Sequence, residues 1–274
     1  MVFVNRALTA AALIAGTVLA SLPASAVIIT FSTFSSQTTK SNFDFVNSGM
    51  AGNRANDATF FSITKPGDKS SGAVLVQFSF LQANFGNAVQ NVIASLTLAG
   101  AIATGAPVEA SDHKKGTQFN QPILSETFSF TSTTDIKVDD KIFLAGSNLL
   151  SGVVDGAVLS GKFAGTSGSV AASTLDGAAI TYTSDFLDFT NTVDRDLAFA
   201  LTAAKTPFGA NTIKPKKGQT ANTTLNSFRA VIGGQFSSDP APIITVVEPT
   251  NIALGVIGVS MIGFSIRRKR ALAA

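Results

Sequence analysis

Hydrophobic and polar residues alternate with a period of two along most of the middle of this 274-residue chain. In AVLVQFSFL (73–81), Val74, Val76, Phe78 and Phe80 share one side, with Gln77 and Ser79 opposite. ETFSFTS (126–132) sets Phe128 and Phe130 between polar alternates, and VIASLTL (92–98), AVLSGKF (157–163), AAITYT (178–183), DLAFALT (196–202) and LNSFRAVI (225–232) repeat the pattern. Successive side chains of a strand point to opposite faces, so each run predicts a half-buried β-strand. Between the runs lie KPGDKSSG, ATGAP, SDHKKGTQFNQP, AGSN, DG and KTPFGANTIKPKKGQT. Their Gly, Pro, Asn and Asp content is turn and loop chemistry. No stretch of the body keeps a helical period over three turns without Gly, Pro or a β-branched residue interrupting it. The expected fold is therefore all-β, an antiparallel β-sandwich or jelly-roll-like body. A stacked solenoid is the alternative, suggested by the irregular series Gly152, Gly156, Gly161, Gly165 and Gly168.

The two ends break this pattern. The N-terminus reads MVFVNRALTAAALIAGTVLASLPASA, with Arg6 ahead of an apolar stretch from Ala7 to Leu22, Pro23 as a helix breaker, and the small-x-small run Ala24-Ser25-Ala26. That layout predicts a signal helix over residues 1–26, cut by signal peptidase between Ala26 and Val27. At the other end, Thr250 to Ile266 carries no charge and is followed by Arg267, Arg268, Lys269 and Arg270. At about 1.5 Å per residue the run spans roughly 25 Å, enough for a transmembrane helix whose flanking cations reach the interface. The cations act as a cytoplasmic stop by the positive-inside rule, which leaves the body outside the inner membrane. Pro249 biases the backbone before it towards an extended form, as a protease site requires. The expected organisation is a signal peptide (1–26), a β-rich extracytoplasmic domain (27–239), a Pro-containing linker (240–246) and a C-terminal anchor segment (247–274).

A Glu-Pro step, an apolar helix and a terminal Arg/Lys cluster, combined with a signal peptide, resemble the PEP-CTERM sorting signal of Gram-negative bacteria in its PEPxxWA variant. Glu248, Pro249 and Ala253 stand where that pattern places them, while Val247 replaces its first proline and Ile252 its tryptophan. TYTSDFLDF (181–189) and LNSFRAVIGGQFSSDPAP (225–242) are similar to segments in the bodies of such proteins. The resemblance implies recognition by an exosortase-like membrane enzyme. It also implies transient anchoring in the inner membrane with the body in the periplasm, then transfer to the cell surface or extracellular matrix.

Charge narrows the choice of partners. Net charge is +3, but Arg6 and the four C-terminal cations account for five of the 20 Lys and Arg residues. Between Val27 and Val247, 15 cations face 16 acids, so the basic character belongs to the ends and a nucleic-acid partner is not expected. The absence of cysteine excludes disulfides and thiolate chemistry. Phenylalanine is abundant at 22 residues, against a single tyrosine, Tyr182, and no tryptophan. Alternating Phe is core material, and the scarcity of exposed-type aromatics argues against a sugar-stacking platform.

Candidate chemistry is sparse. His113 is the only histidine, in SDHKKG, where Asp112 reads as a turn residue, and no GxSxG, phosphate loop, dinucleotide fingerprint or zinc ligand set appears. Acids gather as Asp135, Asp139 and Asp140 in one segment, and as Asp185, Asp188, Asp194 and Asp196 in another, with Lys137 and Arg195 placed to pair with them. The second group is a weak calcium candidate, and paired acids at suitable separation hydrolyse glycosides. Lys205, Lys214, Lys216 and Lys217 cluster around two prolines, either to contact an acidic exopolysaccharide or lipopolysaccharide or to keep a long loop soluble. The sequence thus points to a non-enzymatic, exported surface or matrix protein associated with exopolysaccharide and needing no cofactor. The alternatives are a polysaccharide-acting hydrolase and a calcium-dependent carbohydrate-binding module.

Overall fold

The computed structural model describes residues 28–48, 58–102, 108–213 and 222–245. Among these, twenty strands form, and every ladder is antiparallel. The first half holds β1 (Ile29–Ser36), β2 (Phe43–Asn47), β3 (Ala58–Ser62), β4 (Val74–Phe80), β5 (Val92–Ala101), β6 (Glu109–Ala110), β7 (Gln118–Pro122) and β8 (Ser125–Ser132). Then come β9 (Ile136–Val138), β10 (Lys141–Phe143), β11 (Asn148–Asp155), β12 (Val158–Lys162), β13 (Gly168–Ser173) and β14 (Ala179–Thr183). The last group is β15 (Leu187–Asp188), β16 (Asp194–Thr202), β17 (Ala210–Ile213), β18 (Asn222–Leu225), β19 (Phe228–Asp239) and β20 (Ile243–Ile244).

The seven alternating runs of the sequence all lie on strands, with two differences of detail. LNSFRAVI divides at Asn226-Ser227 between β18 and β19. QFNQP, read from its composition as loop, is β7, which turns Phe119 and Gln121 inward while its neighbours stay at least partly exposed. The uniformly antiparallel ladders exclude the stacked solenoid for the described residues. Among them no helix is long and apolar enough to cross a membrane. The signal helix with Ala24, Ala26 and Val27 lies outside the described residues, as do the anchor segment from Val247 to Arg270 and the lysines Lys214, Lys216 and Lys217.

One large sheet runs in the order β14-β11-β8-β5-β3-β2-β19-β16-β13-β12-β7-β6, and β1 and β4 make a second bridge between β19 and β5. Its two arms are the same pieces of chain. β7 continues into β8 through Ile123-Leu124, β11 into β12 through Gly156-Ala157, and β13 into β14 through the turn at 174–178. The Ile123 amide donates to the Ala157 carbonyl at 2.8 Å, carrying the ladder across the bend. Gly156 sits there at φ +86°, a conformation that side-chain-bearing residues rarely adopt. The three-stranded ribbon therefore folds over, and the inner faces of the two arms meet as a β-sandwich-like body.

Phenylalanine fills the space between them. The twelve largest fully buried side chains are all Phe. Phe236 on β19 lies 4.9 Å from Phe128 on β8, and Phe34 on β1 lies 4.8 Å from Phe130 on β8. The strand glycines complement these rings. Gly100, Gly152, Gly161 and Gly234 stand directly opposite Phe60, Phe128, Phe119 and Phe199. A Cβ at any of the four would come within 3 Å of the facing ring, so these four glycines mark where rings lie flat over a neighbouring strand.

Two forks position the rest. One edge of β5 is divided between β4, which pairs with Val92 to Leu96, and β3, which pairs with Ala99 to Ala101. One edge of β19 is divided in the same way between β2 (Phe228 to Ala230) and β1 (Gly234 to Ser238). A fork strands backbone groups, and each buried donor needs a partner. Asn42, 2% exposed, accepts the Ile232 amide on Oδ1 at 2.9 Å and donates through Nδ2 to Ser36 Oγ at 3.0 Å. At the other fork the fully buried Ser62 hydroxyl accepts the Leu98 amide at 2.9 Å and donates to the Gly72 carbonyl at 2.7 Å.

Candidate functional site

Most of the acids singled out in the sequence sit in turns or bond to the backbone of loops. Asp139 and Asp140 are the two-residue turn joining β9 to β10, with Asp139 at φ +50°, and Asp135 Oδ1 accepts the Ala145 amide at 2.8 Å. In the second group, Asp185 Oδ2 accepts the Asn148 amide at 2.7 Å. Asp188 Oδ1 accepts both the hydroxyl and the amide of Thr190, and these bonds hold its carboxyl below the usual range. Asp194 faces Asp239 across the β16–β19 ladder, and Asp196 Oδ1 is buried without a partner. No group of three or more metal-type ligands converges among the described residues.

Arg195 behaves differently from the expectation that it pairs with its neighbouring acids. Its guanidinium donates to the carbonyls of Ile180, Phe189 and Thr192 and to Thr192 Oγ1, tying the 189–192 turn to β14. Acids stand on both sides of it in sequence, but along a strand those side chains leave the opposite face. The only ion pairs among the described residues are Lys114–Asp112 at 3.5 Å and Arg229–Asp44 at 3.0 Å. Asp112 is the turn residue its setting suggested. It accepts the Lys114 amide and the Thr117 hydroxyl, which lower its carboxyl, and adjacent His113 packs near the Phe163 ring at 5.7 Å.

The second ion pair sits in a cleft of the body, and neither partner was singled out in the sequence. Asp44 on β2 and Arg229 on β19 are direct cross-strand partners, although 185 residues separate them. Around them a cavity of about 540 Å³ is lined by Thr39, Lys40, Ser41 and Asp44 from the start of β2, Pro66 from the loop after β3, Lys205 and Thr206 from the loop after β16, and Ser227, Phe228 and Arg229 from the start of β19. The volume falls within the usual range for small-molecule clefts. The Lys205 amide donates to the Arg229 carbonyl at 2.9 Å, which fixes the lysine-bearing loop to the cleft wall.

Charge and hydrogen-bond capacity are uneven across this cleft. Arg229 uses Nε on Asp44 Oδ2 at 3.0 Å and makes no other side-chain hydrogen bond among the described residues. Burial pushes the Asp44 carboxyl up, and the bond and charge of Arg229 oppose that rise. Lys40 and Lys205 are exposed at the rim. The Ser41 hydroxyl is buried and has no partner. Of the lysine group read from the sequence, Lys205 alone falls within the described residues. The second signal that marks the cleft, a cross-strand Asp–Arg pair, depends on register and is invisible to local spacing.

No family model, curated protein or solved structure matches the chain.

Proposed function

We propose that the chain is an exported, non-enzymatic protein of the cell surface or extracellular matrix, sorted through an exosortase-type C-terminal signal and associated with exopolysaccharide. We read its rolled, forked sheet as a β-sandwich built to be carried and displayed. The observation that carries the reading is the bracketing of a β body by a signal-peptide-like start and a tail combining Glu248-Pro249, an uncharged run and Arg267 to Arg270. The arrangement of the body supports it. Ile29 pairs with Ser238, and a few residues further on β20 joins β15, so the chain enters and leaves the body side by side. A body tethered through one end leaves its remaining surface free for contact. The calcium-module reading draws no support from the acid groups, several of whose carboxylates are spent on turns and which bring no three metal-type ligands together among the described residues.

The test is made in an exosortase-bearing Gram-negative host. Intact mass of released protein is expected to show loss of residues 1–26, and replacing Glu248 and Pro249 with alanine is expected to leave the protein in the inner membrane. Retention of Met1, or unchanged release of the double variant, overturns the reading.

A further inference from the structure

We infer that the cleft between the start of β2 and the start of β19 is a binding site for a carboxylate-bearing saccharide, a uronic acid residue within a polysaccharide. The choice of an extracellular polymer rests on the surface-protein reading, whereas the cleft rests on its own geometry. Its chemistry is two-sided. Lys40, Lys205 and the uncommitted terminal nitrogens of Arg229 are donors suited to a carboxylate. Asp44 is an acceptor in the same cleft, with Oδ2 on Arg229 and Oδ1 accepting no hydrogen bond among the described residues. A bare inorganic anion has no use for that acceptor and is repelled by it. A ligand carrying hydroxyl groups and a carboxylate on one ring satisfies both sides.

A further feature points to a ligand. Ser41 is 8% exposed, lines the cleft and has a hydroxyl with no partner. Leaving such a group unpaired costs about 1–3 kcal/mol, and a turn of the Ser41 side chain towards the cleft would let a ligand hydroxyl remove that cost. Phe228, 2% exposed, also lines the cleft, but its ring leaves the face opposite Arg229 and stacks on Phe45 at 5.2 Å in the core. At about 540 Å³ the space holds a saccharide of roughly one to two rings rather than a single small ion.

Calorimetric titration of the full-length chain in non-ionic detergent at low salt tests the site, with trigalacturonate, maltotriose and inorganic sulfate as probes. Trigalacturonate is expected to bind at least about tenfold more tightly than either of the others, because only it meets both donors and acceptor. Lys40→Glu combined with Lys205→Glu is expected to weaken trigalacturonate by about tenfold or more without moving the melting midpoint, since both side chains are exposed. Ser41→Ala is expected to weaken it several-fold with the midpoint unchanged or raised, as its hydroxyl makes no bond within the protein. Equal binding of maltotriose, equal binding of sulfate, no binding of trigalacturonate, or insensitivity to the double charge reversal each overturns the site. None of these outcomes bears on sorting, and failed sorting in the host leaves the titration unaffected.

Discussion

Glu126 is a costly side chain for this body. It lies on β8 in the same inward phase as Phe128 and Phe130, is fully buried, and neither carboxylate oxygen has a partner. Burial pushes its carboxyl up to about 8, so the group is mainly protonated at neutral pH. Tyr182 is its titratable neighbour, and burial, Asp196 and Glu126 itself hold that phenol well above 10, outside the same range. The folded state binds a proton that the unfolded chain has released above pH 4.5, so stability is greatest below that value and falls as pH rises towards about 8. At pH 7 the cost is about 3 kcal/mol. Glu126→Leu is accordingly expected to raise urea-unfolding stability at pH 7 by a few kcal/mol and to flatten the decline between pH 5 and 8. Equal stability of the natural protein at the two pH values would show that the carboxyl has found a partner. The alternation in ETFSFTS makes Phe128 and Phe130 legible as core, and the same phase carries Glu126 inward. What composition hides is that β8 and both its neighbours extend past this position, with Gly100 and Val154 beside it.

At the scale of elements, period-two alternation identifies the strands whose two faces see different surroundings, such as β4 and β16. It is silent on β2, where FDFVN is buried at four of its five positions, because a strand covered on both sides need not alternate. The forks are equally hidden. Nothing in the local pattern marks Asn42 or Ser62, yet each closes the gap where one strand edge passes from one partner to another. Removing either side chain strands a buried backbone amide, at a cost of about 1–3 kcal/mol. Asn42→Ala and Ser62→Ala are each expected to destabilise by that amount in chemical denaturation, with faster hydrogen exchange at the amides of Ile232 and Leu98 respectively. Unchanged exchange at those two amides would mean that water replaces the side chains and that the forks hold themselves. The cleft suffers from the same long-range dependence. The pairing of β2 with β19 brings Asp44 to Arg229, and nothing near either residue announces the other.

Among the described residues one sheet rolls over where β7–β8, β11–β12 and β13–β14 bend, so its two arms share the same stretches of chain. Phe236 joins them: its ring meets Phe31, Phe34 and Phe199 from its own side and Phe128, Phe130 and Tyr182 from the opposite arm. Tyr182 adds a polar tie, its hydroxyl donating to the Asp196 carbonyl at 2.6 Å between β14 and β16. With no tryptophan and one tyrosine in the chain, that residue is the intrinsic fluorescent reporter of the seam between the arms. If the arms fold as one unit, the Tyr182 signal and the far-ultraviolet dichroism of all strands change together along a denaturant series. Phe236→Ala removes a ring shared by both arms and is expected to cost about 3–5 kcal/mol while shifting both curves equally. Separation of the two curves, in the natural protein or in this variant, would mean that one arm survives the loss of the other. The bent strands β7–β8, β11–β12 and β13–β14 would then be hinges between two folding units. Coincident curves require that the bends transmit structure, as the ladder bond from Ile123 to Ala157 across the fold line implies.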